Sequence, residues 1–146
     1  MIEIEQLREC TEENVRELNE LMRQLRTDGG IETSQASLGE LQAMARDKNT
    51  VLIVAKDDAR IVGVALLAII LKIGKAIGSV EDVVVHEKYR GQGLGEKIME
   101  KVISVAKERG LVTLGLTSRP VRIAGNNLYQ KMGFTQKETN VYRLKL

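Results

Sequence analysis

The chain has 146 residues, with 22 Lys and Arg against 20 Asp and Glu and a net charge of +2. That length suits one domain over 1–146, able to bury roughly 70% of its unfolded surface, and the near-balance of charge excludes the basic field of a nucleic-acid binder. Cys10 is the only cysteine, which excludes an internal disulfide, and no apolar segment follows a charged N-terminus as in a signal peptide; a cytoplasmic location is expected.

Residues 2–8 read as a first strand. Thr11 with Asn14 opens a helix through about Arg26 that carries Val15, Leu18, Leu21, Met22 and Leu25 at helical spacing. "TDGG" stops it, and a shorter helix is expected from about Ser37 to Arg46. Three strand-like runs follow at about 50–56, 60–72 and 77–86, separated by the breakers "KDDA" and "GKAIG". Joints that short demand antiparallel neighbours, because a parallel crossover takes a dozen or more residues. The most apolar run, "IVGVALLAII" at 61–70, is about half the roughly 20 residues of a membrane helix, so it reads as a buried strand and no membrane partner is expected.

A helix at about 93–109 puts Leu94, Ile98, Val102, Val105 and Ala106 on one face, with Gly110 at its stop. "LVTLGLTS" is the next strand; reached through a helix, it should lie parallel to the preceding one, in a right-handed crossover. Ser118 is the expected cap and Pro120 sits near the first turn of a short helix to about Lys131, with Gly133 as its stop. Strands at about 134–138 and 140–145 close the chain. The expected fold is α/β, a mixed, mostly antiparallel sheet with helices on both faces, and its exposed edges are compatible with a homodimer.

The segment "EDVVVHEKYRGQGLGEKIMEKV", residues 81–102, runs a β-rich stretch through three glycines straight into a helix. A dinucleotide fingerprint does not fit: Glu96 stands where a glycine is required, and the βαβ unit with its downstream carboxylate is missing. A P-loop does not fit either, since no Gly-Lys-Ser/Thr follows. What remains is an anion cradle or a plain turn. Glycines let the main chain approach a ligand, and the N–H groups at a helix start bind a phosphate or pyrophosphate. Lys88, Arg90 and Lys97 could attract phosphates; Glu96 opposes them but suits a helix N-terminus.

The order of antiparallel meander, "RGQGLG", helix, strand and "NNLYQKMGF" resembles the GNAT N-acetyltransferase family, whose pyrophosphate signature Arg90, Gly93 and Gly95 fill. The resemblance extends over nearly the whole chain and is sharpest at 81–134. It implies acetyl-coenzyme A as cosubstrate, with the pyrophosphate held by the loop Arg90, Gly91, Gln92, Gly93, Leu94, Gly95 and Glu96. It also implies that the pantetheine arm lies alongside Val83, Val84 and Val85, in a gap where that strand splays from its parallel neighbour. Tyr129 matches the position whose phenol meets the cofactor sulfur.

In the closing helix Arg122, Asn126 and Tyr129 lie at i, i+4 and i+7, one polar stripe, with Val121, Ala124 and Leu128 on the neighbouring apolar one. Many family members have Asn seven residues before the Tyr; here that position is Arg122, and either Asn126 or Arg122 is left to contact the cofactor. An amine attacks a thioester only when unprotonated, and the departing thiolate accepts a proton from a phenol of pKa about 10. Tyr129 is the candidate acid. Glu81 is preferred over Asp82 as candidate base, because side chains alternate along a strand and only one of the two can face the cleft; a water chain, or no base, stays open.

His86, the only histidine, reads as a solvated strand end, Cys10 as structural, and one of each makes a metal site implausible. The expected reaction is acetyl transfer to a primary amine of a small molecule or peptide, the acceptor chosen partly by "RTDGGIETS". The alternative is a coenzyme A-binding sensor or interaction module without catalysis.

Overall fold

The computed structural model describes residues 1–26 and 35–146; the "TDGG" helix stop and most of the "RTDGGIETS" loop lie outside the described residues. The chain runs β1 Ile2–Gln6, α1 Glu12–Arg26, α2 Leu38–Arg46, β2 Thr50–Asp57, β3 Arg60–Lys72, β4 Lys75–Val85, a 3₁₀ turn Glu87–Tyr89, α3 Leu94–Glu108, β5 Leu114–Gly115 and α4 Ile123–Lys131. The strands form one sheet in the order β1-β2-β3-β4-β5, antiparallel except for the parallel β4–β5 pair. This is the mixed, mostly antiparallel sheet expected, with parallel pairing reached through α3.

The helix starts follow the side chains that satisfy their first N–H groups. Thr11 and Asn14 cap α1 reciprocally, each side chain accepting from the other's main-chain amide at 3.2 and 3.1 Å. Ser37 and Glu40 do the same for α2 as a full capping box.

Both faces of the sheet are covered. Val51, Ile53 and Ala55 point to one side, packing with Val62, Ala65 and Leu67 against Leu94, Ile98, Met99 and Val102 of α3. Leu52 and Val54 point to the other, against Val15, Leu18 and Leu21 of α1 and Leu41 of α2. Two buried faces explain why β2 and β3 read as continuous apolar runs instead of alternating ones. Gly63 is a consequence of that density: a Cβ there would stand 2.7 Å from Ile98 Cδ1.

Three expectations change. The strand expected at 111–118 is only two residues long, because β5 registers with β4 at Gly78–Leu114 and Ser79–Gly115 and no further. The short helix begins at Ile123, not after Ser118, and its N-cap Arg122 makes no side-chain capping bond. Instead Asn126 Nδ2 donates to the carbonyls of Arg119 and Arg122, at 3.0 and 2.9 Å, and holds the entry loop. The closing strands at 134–138 and 140–145 do not form. Residues 135–146 are exposed throughout, since a strand pattern gives no ladder unless another strand lies alongside.

Candidate active site

β4 leaves the sheet's regular register where the site begins. Leu66 faces Glu81 and Val64 faces Val84, so β4 carries one residue more than β3 over this interval, and Asp82 takes the left-handed conformation at φ 52°. This is a β-bulge, which bends its strand and raises the local twist. Beyond Ser79 no residue of β4 is registered with β5. Val83 and Val85 pack toward α3, Val84 toward α1, and their strand has no β5 neighbour. The expected course of Val83, Val84 and Val85, unpaired with the parallel neighbour, is accompanied by the bulge at Asp82.

The bulge also removes the alternation that was to choose between Glu81 and Asp82. Both are exposed. Glu81 stands opposite Leu66 on the α1/α2 face, and its Oε1 accepts a hydrogen bond from Ser79 Oγ at 2.8 Å. Glu81 and Asp82 are thus both open to solvent on β4, just before the stretch that leads to the glycine loop.

β4 leads through the 3₁₀ turn into the glycine loop. Gly91 and Gly93 have φ of 76° and 77°, conformations that L side chains rarely adopt, and Gly93 is the N-cap of α3 without a side-chain cap. Lys97 is the first α3 residue whose amide reaches back into the turn, to Gly93 at 3.2 Å. Among the described residues, the main-chain amides of Gly91, Gln92, Gly93, Leu94, Gly95 and Glu96 donate to no protein acceptor. A cluster of donors at a helix N-terminus, with open space beside Gly91 and Gly93, fits a diphosphate. At Gly95 a Cβ would come 3.3 Å from Leu128 Cδ2, so this glycine lets α4 approach the start of α3. Arg90 Nε donates to Val85 O at 3.0 Å, and Glu96 pairs with Lys131 at 2.8 Å, joining α3 to α4.

Tyr129 lies on α4. It is partly buried, edge-on to Phe134 with ring centroids 6.0 Å apart, and packs against the α3-side core. Burial pushes its phenol above the usual range, and Arg122 pulls part of the way back. A Cβ at Gly125, one turn earlier, would stand 3.7 Å from the Tyr129 ring. Arg122 donates to Leu25 O at 3.0 Å, tying α4 to the end of α1, while Asn126 is engaged with its own entry loop. Both side chains therefore have structural partners besides any contact with a cofactor.

His86 corrects the sequence reading. It is only 4% exposed, because α1 lies over the strand end. Its Nδ1 accepts the Lys88 amide at 3.2 Å, which places the ring proton on Nε2, where it is donated to Glu20 Oε1 at 3.2 Å. Glu20 also meets Arg60, Gln24 Oε1 accepts the Glu87 amide, and Tyr89 donates to Asp57 Oδ2 at 2.7 Å. The turn that enters the glycine loop is thereby pinned to α1 and β2. These partners lie 32 to 66 residues apart, so no local pattern could have announced them. We expect His86→Ala to cost about 2 kcal/mol in urea unfolding, with His86→Asn recovering part of it by restoring an acceptor for the Lys88 amide. Equal stability of wild type and His86→Ala would contradict the pinning role.

No group of three His, Cys, Asp or Glu among the described residues is placed to hold a metal ion, and none of their helices is long and apolar enough to cross a membrane.

The comparisons agree with this geometry. The sequence profile of the Acetyltransferase (GNAT) family matches residues 14–134. The chain is similar to a probable glucosamine 6-phosphate N-acetyltransferase of Oryza sativa subsp. japonica, 35% identical over 109 residues that cover 70% of this chain and 63% of the relative. It is also similar to the glucosamine 6-phosphate N-acetyltransferase of Trypanosoma brucei brucei, 37% identical over 82 residues and 54% of each chain. The match thus spans less than two thirds of either relative's length. A crystal structure of a Trypanosoma brucei acetyltransferase superposes with a TM-score of 0.77 at 30% identity, covering 100% of both chains. With the profile match extending over most of its length, this chain belongs to the GNAT acetyltransferase family.

Proposed function

We propose that the protein is an N-acetyltransferase that moves the acetyl group of acetyl-coenzyme A onto the primary amine of a small molecule. The observation that carries the reading is the set of six undonated amides at the start of α3, following a stretch of β4 that bulges at Asp82 and has no β5 partner past Ser79. The residues suit the cosubstrate in three respects. The loop amides from Gly91 to Glu96 would hold its diphosphate with Arg90 nearby, the unpaired strand of Val83, Val84 and Val85 would face its amide-bearing arm, and Tyr129 of α4 would meet its sulfur. Arg122 and Asn126 would border the arm from α4.

Acetyl-coenzyme A, when bound, supplies an activated thioester. Glu81, with Asp82 beside it, holds a carboxylate that takes a proton from the incoming ammonium, directly or through water, so that the nitrogen lone pair is free to attack. Tyr129 Oη holds the proton that a departing thiolate needs, and its burial keeps that proton in place at neutral pH. The distribution of groups suits direct attack on the thioester. The main-chain amide of the single cysteine, Cys10, donates to Gln42 Oε1, and burial pushes its thiol up, away from the thiolate form.

A thiol-release assay with acetyl-coenzyme A and a panel of primary amines that includes glucosamine 6-phosphate tests the reading. Amine-dependent release is the expected result; coenzyme A binding without release for every amine would leave the protein a binding module. Glu81→Gln should lower kcat about 10-fold at neutral pH and less at alkaline pH, where the amine is already unprotonated. An unchanged pH–rate profile would remove Glu81 from the mechanism.

A further inference from the structure

One carboxylate of α1 is buried without a counter-charge. Glu17 is 7% exposed, yet among the described residues no Lys, Arg or His forms an ion pair with it. Its Oε2 accepts from the Ile61 amide at 3.2 Å and from Asn14 Nδ2 at 3.4 Å, while no donor of the described residues reaches Oε1. A carboxylate offers about four acceptor positions and is costly to bury unless it is paired. Two long hydrogen bonds to one oxygen leave the other unsatisfied.

Glu17 lines a cavity of about 500 Å³ that α1 shares with the β2–β3 turn, within the size range of small-molecule sites. Three carboxylates and three guanidiniums line it, those of Glu13, Glu17, Glu20, Arg16, Arg23 and Arg60. Two pairs are already matched, Arg16 with Glu13 and Arg60 with Glu20, the latter at 3.4 Å. One anion and one cation remain: the buried Glu17, and Arg23, which is exposed and makes no hydrogen bond or ion pair with any described residue. They lie six residues apart on α1, about 9 Å of helix rise, a separation that the long Arg side chain can shorten.

We propose that this cavity binds a small zwitterion, an amino acid whose ammonium donates to Glu17 Oε1 and whose carboxylate meets the Arg23 guanidinium. Every charge lining the cavity then has a partner, and both new contacts are of the strong, charge-assisted kind. A simple amine satisfies only Glu17, and a simple acid only Arg23. The site is separate from the proposed centre of acetyl transfer: Ile61, bonded to Glu17, and Leu66, which faces Glu81, are about 17 Å apart along β3. That separation rests on the acetyltransferase reading, whereas the binding does not. Glu20, which lines the cavity, also receives His86, so the occupant adjoins the turn that enters the glycine loop.

Calorimetric titration with γ-aminobutyrate and the common α-amino acids, against butylamine and butyrate as single-charge controls, tests the proposal. At least one amino acid should bind at millimolar concentration or below, about 10-fold or more tighter than either control, and should shift the ¹⁵N amide signals of Ile61 and of α1 from Glu13 to Arg23. Arg23→Gln should weaken that binding about 10-fold or more with thermal unfolding unchanged, because the Arg23 side chain holds no described residue. Glu17→Gln, which keeps an acceptor for the Ile61 amide, should weaken it to a similar extent. The absence of millimolar binding by every amino acid overturns the proposal. So does an affinity indifferent to Arg23→Gln, butylamine binding as tightly as the best amino acid, or shifts that spare Ile61 and α1. If Glu17→Gln fails to fold, the exposed Arg23→Gln and the two controls still decide the matter.

Discussion

Gly93→Asp should leave the protein folded and abolish most of its affinity for coenzyme A. Asp tolerates the left-handed conformation better than most residues, at roughly 1–2 kcal/mol, and at a helix N-cap its carboxylate recovers about 1 kcal/mol by accepting orphan amides and facing the helix dipole. Stability should stay within about 1 kcal/mol of wild type. The same carboxylate competes for the amides that would hold the diphosphate and repels it. Losing two charge-assisted hydrogen bonds, at about 1.5–3 kcal/mol each, lowers affinity at least about 100-fold. Gly93→Asn, of similar shape but neutral, should lose about 10-fold or less. Calorimetric titration of the three proteins checks this, and an Asp variant that binds within about threefold of wild type would show that the loop amides do not grip the anion.

Tyr129→Phe should lower kcat by about 100-fold or more, within the usual range for loss of a general acid, while the dissociation constant for coenzyme A changes little because the ring and its edge contact with Phe134 remain. The pH dependence follows from the direction of the shift. Burial raises the phenol's pKa, so Tyr129 stays protonated throughout the range in which an amine acceptor loses its proton. The rate should therefore climb with pH and fall only above the ordinary phenol value of about 10. In Tyr129→Phe that falling limb should be absent. A kcat within about threefold of wild type would make the phenol a packing group.

Where interactions are local, the sequence was a good guide. Thr11 with Asn14, and Ser37 with Glu40, announce α1 and α2 because a capping pair spans only three residues. β3 is legible because its stretch from Ile61 to Leu67, buried on both faces, is apolar at every position but Gly63. The glycine loop is legible because Gly91 and Gly93 are needed at positive φ and α3 follows at once.

Two of the misreadings come from a partner distant in sequence. His86 reads as solvated beside Glu87 and Lys88, and only α1 folding across the strand end, with Glu20 66 residues away, buries it. The bulge at Asp82 is set by counting β4 against β3, which neither strand reveals alone. Ser118 is a good capping residue, yet Asn126 reaching back to two carbonyls fixes the start of α4 at Ile123. The strand pattern at 140–145 is real, but this chain offers it no neighbour.

The central claim is that the amides of Gly91 to Glu96 bind the cosubstrate's diphosphate beside a splayed β4. Titrating ¹⁵N-labelled protein with coenzyme A measures those amides one by one. The account predicts that the largest shifts fall on residues 91–96, with a second group at Val83, Val84 and Val85, and that β1 and β2 stay still. Saturation with the loop amides unmoved and the changes elsewhere would contradict it.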